Sequence, residues 1–172
     1  MAKEAEEEQE IKKTKWGKAA KLSLGVLGGL SVLMGYISAA GMKESEIESE
    51  ARKPIDDFIT ALNAKDIESG RKTLHYPHIQ IAGNEVSILN EPESFQIDFQ
   101  ALAAEGWSYS TLDSCAMRQS CNEKAHFEIQ MSMHLANNAR YATFQALWIV
   151  TRKEGKWGIQ CRSIFPSGVR PS

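Results

Sequence analysis

The sequence predicts an α+β domain, about three helices against a curved antiparallel sheet, carried behind one N-terminal transmembrane helix. Three observations predict it. A run from Leu22 to Met42 holds no charged residue. Apolar residues recur at helical spacing in three stretches between Ala51 and Gly106. The C-terminal third alternates apolar and polar residues between short turn signals, the pattern of a strand meander.

The uncharged run spans about 31 Å as a helix, close to the ~30 Å hydrocarbon core of a bilayer. Lys12, Lys13, Lys15, Lys18 and Lys21 precede it, whereas Glu44, Glu46, Glu48 and Glu50 outnumber Lys43 after it. Positive charge stays on the cytoplasmic side, so residues 1–21 are expected to be a cytoplasmic tail and the C-terminal domain to be exported. Trp16 suits the inner interface. Gly28, Ser31, Gly35 and Ala39 share one face, and Gly25 with Gly29 forms a GxxxG, although small residues are common in any membrane span. Two rivals stand beside the anchor. A cleavable signal peptide would exit at Ser38-Ala39-Ala40, against which the leader is long and begins acidic. A buried soluble helix would ordinarily show a polar face.

Residues 43–50 read as a charged linker, residues 51–166 as the folded domain and residues 167–172 as a tail. Ala51, Ile55, Phe58, Ile59 and Leu62 mark a first amphipathic helix with Pro54 near its start, and Asp66 can cap a short second helix bearing Ile67 and Leu74. Gly83-Asn84 sits between two alternating runs and predicts a two-residue hairpin that pairs Ile81 with Val86 and Ile79 with Ile88 on one face. Pro92 opens a third helix with Phe95, Phe99 and Leu102 on one side and Gly106 as its stop. Turns at Asn122-Glu123, Asn137-Asn138 and Glu154-Gly155 then set the meander. Counting outward from them places Phe127 opposite Trp148 and Trp148 opposite Cys161. It also aligns Ile129, Ala146 and Ser163, and Met131, Phe144 and Phe165. The other face, with His126, Glu128, Gln130, Ser132, Gln145, Leu147, Ile149, Gln160 and Arg162, is half polar.

Composition narrows the function. The formal net charge is −2 and no basic stripe interleaves with aromatics, so no nucleic-acid partner is expected. Cys115, Cys121 and Cys161 make no CxxC and have no histidine at zinc-ligand spacing; neither metal nor cofactor is expected. The turn at Asn122-Glu123 leaves Cys115 and Cys121 about 20 Å apart along one strand, too far for a disulfide.

Phe58-Ile59-Thr60-Ala61-Leu62-Asn63-Ala64-Lys65-Asp66 resembles the first-helix signature of the nuclear transport factor 2-like superfamily, the cone-shaped fold of SnoaL-like proteins. Tyr141 to Thr151 and Gly155 to Ser163 resemble its last two strands. The resemblance covers about residues 51–166. It implies a cystatin-like α+β cone whose inner face encloses a pocket. That would turn Phe58, Phe127, Trp148 and Trp157 toward the cavity, with Tyr76 and Trp107 at its mouth, a lining suited to a small hydrophobic ligand. A core filled by the same aromatics is the plainer alternative.

Steroid isomerases of this fold use a helix-one tyrosine and a strand aspartate. The matching positions resemble Phe58 and Ala82, which can neither donate a hydrogen bond nor take a proton. No residue is therefore assigned to catalysis. His75, His78, Asp57 and Asp113 are the titratable groups left, and His75 with His78 lacks a third metal ligand. The expected function is a membrane-anchored binding or accessory module. An enzyme of the isomerase, dehydratase or cyclase type and an assembly subunit, laid out like the inner-membrane component of type IV secretion channels, are the alternatives. A homodimer is expected through the half-polar sheet face, with Leu147, Ile149 and Ile164 central and Glu128 and Arg162 flanking.

Overall fold

The structure, a computed structural model, describes residues 42–165. The expected cytoplasmic tail and all of the expected span but Met42 lie outside the described residues. Among the described residues no helix is long and apolar enough to cross a membrane.

Helix α1 (Glu44–Asn63) begins inside the stretch expected to be a linker. Ile47 explains the earlier start: it is buried and extends the stripe of Ala51, Ile55, Phe58, Ile59 and Leu62 by one turn. Glu44 and Glu46 sit in the first turn, where carboxylates meet the positive end of the helix dipole, and Glu46 accepts from the Lys43 backbone N–H at 3.2 Å. Pro54 therefore lies within the helix rather than near its start. Asp66 caps α2 (Ile67–Lys72) as expected, taking the Ser69 N–H at 3.0 Å.

Strand β1 (Leu74–Ala82) follows, so Leu74 opens a strand instead of closing a helix. It turns at Gly83-Asn84 into β2 (Glu85–Leu89) with the expected partners, Ile81 to Val86 and Ile79 to Ile88. That row does not face the core: Val86 and Ile88 are 63% and 61% exposed. The single helix expected after Pro92 is two pieces, a 3-10 turn at Pro92–Ser94 and α3 (Phe99–Ala104). Asp98 divides them by capping α3 through the Ala101 N–H at 2.9 Å. Gly106, at φ +90°, ends the segment in a conformation that glycine takes without strain.

The meander is β3 (Tyr109–Cys121), β4 (Lys124–His134), β5 (Arg140–Lys153) and β6 (Lys156–Ile164). All six strands form one sheet in the order β2-β1-β6-β5-β4-β3. The sheet is not purely antiparallel, because β1 and β6 run parallel. The chain returns to the first hairpin only after completing the meander.

Helix α1 packs across β3, β4, β5 and β6 and closes one core. Asn63, at the end of α1, fastens it to β3 by exchanging two bonds with the Ser110 backbone at 2.8 and 2.9 Å. The β4–β5 pairing matches the three pairs read from the sequence, Phe127 with Trp148, Ile129 with Ala146 and Met131 with Phe144, and steps by one residue only at His134–Arg140, beside the turn. Cys121 opposes Lys124 across the Asn122-Glu123 turn, leaving Cys115 six positions away on the same strand; all three cysteines are free thiols.

The β5–β6 pairing departs from the reading by one residue. Glu154 and Gly155 both adopt positive φ and make the expected two-residue turn, with Lys153 opposite Lys156. The register then steps between Val150–Ile159 and Ile149–Cys161, which leaves Gln160 as an extra residue in β6. A one-residue step reverses the faces of every residue beyond it. Trp148 therefore opposes Arg162 rather than Cys161, and Ala146 opposes Ile164 rather than Ser163. Arg162 and Ile164 leave the outer face, where they had been expected to border and centre a dimer, and turn toward α1.

Candidate functional site

The bulge is held from both sides. Gln160 donates through Nε2 to the Pro77 carbonyl, while His78 Nδ1 meets the Ile159 carbonyl at 3.0 Å. Gly158 permits the close approach of β1, since a Cβ there would lie 2.4 Å from the His75 ring. The result is a guanidinium inside the domain. Arg162 is 7% exposed and lies against three aromatic rings: Phe58 at 4.7 Å, Phe95 at 5.2 Å and Trp148 at 5.7 Å from its central carbon. Phe58 meets Trp148 edge to face at 5.5 Å and Phe95 at 5.9 Å. Together these rings form an aromatic cage on a cation, an arrangement that contributes of order 1–2 kcal/mol when desolvated.

Two polar groups complete the cage. Arg162 donates through Nε to His78 Nε2 at 3.2 Å and through Nη2 to Gln80 Oε1 at 2.9 Å. Since Nε2 accepts, His78 carries its proton on Nδ1 and gives it to the Ile159 carbonyl. Both ring nitrogens are committed. Burial, then the neighbouring Arg162 charge, pushes the His78 pKa down to about 4, so the imidazole is neutral at physiological pH. Burial also lowers Arg162 to about 10, which leaves it a cation. No described carboxylate lies within ion-pairing distance of it.

The structure brings together three of the six residues expected to line a pocket. Phe58, Phe127 and Trp148 meet on the inner wall, each almost fully buried. Tyr76 packs at its edge, half-buried, with its hydroxyl 3.4 Å from the Arg71 carbonyl. Trp107 lies elsewhere, at the α3–β3 junction, where it stacks on Phe99 and donates to Ser110 Oγ at 3.0 Å. Trp157 lines a separate open groove of about 640 Å³ between α1, α2 and the β5–β6 turn, shared with Lys53, Asp57, Lys72 and Lys156.

The titratable candidates are dispersed. His75 bonds Thr151 Oγ1 at 2.9 Å, Asp57 is in the groove, and Asp113 is held by Thr111 and Ser132 on β3 and β4. Among the described residues no three His, Cys, Asp or Glu side chains gather to hold a metal. Phe95 and Arg162 are the site residues the sequence reading missed. Gly158 within a strand was the available signal of a bulge, and hence of the reversed faces beyond it.

The fold is that of cystatin-like, nuclear transport factor 2-like proteins. A protein with a cystatin-like fold from Nostoc punctiforme aligns with TM-score 0.60 at 16% identity, covering 77% of this chain and 97% of that one. A nuclear transport factor 2-like protein from Novosphingobium aromaticivorans aligns with TM-score 0.59 at 13% identity, covering 81% and 91%. A ketosteroid isomerase-like protein from Erwinia carotovora atroseptica aligns with TM-score 0.54 at 14% identity, covering 73% and 98%. No family model matches the sequence, and no curated relative matches it.

Proposed function

We propose that this chain is a noncatalytic binding module that holds a small hydrophobic molecule against the inner aromatic wall of its domain, tethered to a membrane by residues 22–42. One observation carries the noncatalytic part of the reading: His78, the histidine bonded to Arg162 in the wall, has both nitrogens committed and is neutral. A general base needs a free lone pair and a pKa near the working pH, and His78 offers neither. By the resemblance, Phe58 and Ala82 match the positions of the acid and base of the isomerases of this fold, and Ala82 lies at the exposed end of β1. The isomerase-like neighbour therefore lends its fold and not its chemistry. The tether rests on the sequence alone; release of the full chain from membranes by an alkaline carbonate wash would remove it.

The outer sheet face favours pairing with a second copy. The reversed faces of β6 withdraw Arg162 from it, and the β1–β2 hairpin adds Ile79, Ile81, Val86 and Ile88 to Leu147 and Ile149. A face this apolar sits poorly in water, and an isologous dimer is the commonest way to cover one. Arg118 and Glu128, paired at 2.7 Å on the polar side, supply both charge signs at the rim.

Native mass spectrometry of the full chain, purified from its own cells, tests both readings together. The expected species is a dimer carrying a small-molecule mass beyond the two chains. Leu147→Asp should give the monomer with its ligand retained. A bare chain mass contradicts the binding reading, and an unchanged dimer in the variant contradicts the interface.

A further inference from the structure

We propose that the groove between α1, α2 and the β5–β6 turn is a second binding site, separate from the inner wall, and that it takes a small zwitterion of the aromatic amino-acid class. The groove has the room. Its volume of about 640 Å³ falls within the ordinary range of small-molecule sites, roughly 300–1,000 Å³. One face of α1 forms the first wall, since Lys53, Pro54, Asp57 and Ala61 fall at helical spacing. Lys72 at the end of α2 and Lys156 at the start of β6 share the second wall. These two ends lie side by side, because the Ile159 N–H donates to the Thr73 carbonyl at 2.9 Å.

The two walls differ in the charge they leave unpaired. On the α1 wall Glu50 and Lys53 pair with each other, and Asp57 has no ion-pair partner among the described residues. Pro54 adds an acceptor beside it. Proline has no N–H, so the Glu50 carbonyl lacks the donor that the next helical turn would supply. On the second wall neither Lys72 nor Lys156 has a described carboxylate within ion-pairing distance. Asp66, the remaining acid of the groove, is committed to the α2 cap, accepting from the Ser69 N–H at 3.0 Å and from Ser69 Oγ at 2.6 Å. A ligand of one sign would therefore meet repulsion on one wall. A ligand with both signs meets an opposite partner on each: its ammonium on Asp57 and the Glu50 carbonyl, its carboxylate on Lys72 and Lys156.

The lining between the charges sets the ligand's body. Pro54 and Ala61 are buried and small, so the α1 wall is low at its centre. Trp157, the aromatic side chain of the groove, packs against the core from its inner side, which holds the ring in place. Its indole N–H is buried without a partner, and a carboxylate on the adjacent Lys156 brings an acceptor to that end of the groove. An apolar surface with one fixed ring between two charged walls suits an aromatic side chain on a zwitterionic head.

The test titrates the full chain by calorimetry with three probes: L-phenylalanine, 2-phenylethylamine, which lacks the carboxylate, and 3-phenylpropanoate, which lacks the ammonium. Each charge-assisted contact is expected to contribute about tenfold, so phenylalanine should bind about tenfold more tightly than either single-charge probe. Asp57, Lys72 and Lys156 are exposed, so their replacement leaves the fold intact. Asp57→Asn should remove the advantage over 3-phenylpropanoate. Lys72→Met combined with Lys156→Met should remove the advantage over 2-phenylethylamine. Equal binding of the three probes overturns the assignment, as does an advantage that survives its variant. Tighter binding of either single-charge probe than of phenylalanine would make the groove a site for one sign and also overturns it. Binding of none of the three overturns the site, and leaves the inner-wall reading to its own measurement.

Discussion

Trp148→Ala is expected to lower the stability of the domain by about 3–5 kcal/mol, the usual range for truncating a fully buried tryptophan. The size follows from its position. Trp148 opposes Phe127 on one side and Arg162 on the other, and meets the Phe58 ring at right angles at 5.5 Å. Alanine would leave a cavity bordered by a cation, and the cation would lose one of its three aromatic neighbours. A domain of this size has about 5–15 kcal/mol in total, so the variant should sit near its unfolding threshold at room temperature. Urea denaturation of the two proteins measures the difference, with Trp148→Phe as the milder companion. A loss below 1 kcal/mol would mean that the inner wall is not packed around this residue.

Acid should destabilise the domain well above the range where carboxylates titrate. The folded pKa of His78 is about 4, against an ordinary value of 6.5, so between these limits the unfolded chain binds the extra proton. Stability is therefore fully present above about pH 6.5 and declines as the pH falls toward 4. A displacement of this size corresponds to about 3 kcal/mol. His75, lowered by burial and then by the Lys153 charge, acts in the same direction. His78→Asn is expected to reduce the slope of unfolding free energy against pH across that window. What slope survives belongs to His75 and, toward the acid end of the window, to Asp66 and Asp113, whose carboxyls are also held below their ordinary value. An unchanged slope would show that His78 is not held neutral in the folded state.

Much of the fold was legible because local chemistry set it. Asp66, Gly83-Asn84, Asn122-Glu123 and Asn137-Asn138 each fix a cap or a turn, and the β1–β2 and β4–β5 partners follow by counting. Three features were hidden, each for its own reason. The parallel contact of β1 with β6 joins segments some eighty residues apart, and no local pattern announces it. The early start of α1 depends on Ile47, one apolar residue among four glutamates. The exchange of Cys161 for Arg162 comes from a bulge inside a stretch that alternates in the ordinary way.

The candidate site shows the same division. The aromatic wall could be named from the sequence because Phe58, Phe127 and Trp148 fall at core positions in either register of β6. Arg162 could not, because its side depends on one residue of slippage. An arginine counted onto the solvent face attracts no notice, whereas the same arginine turned inward defines the chemistry of the interior. Tryptophan identity alone was not enough, since Trp107 and Trp157 are equally conspicuous in sequence, yet Trp107 stacks on Phe99 and Trp157 packs at the margin of the core, where it lines the groove.

The most direct measurement of the central claim is hydrogen exchange at the Arg162 Nε–H, followed by nitrogen-15 NMR of the folded chain and assigned by its loss in Arg162→Met. The bulged register predicts an Nε–H protected from solvent, exchanging far more slowly than that of Arg118 on the exposed part of β3, and shifting as His78 titrates. Exchange as fast as that of Arg118 would return Arg162 to the outer face and leave the inner wall purely apolar, contradicting the account.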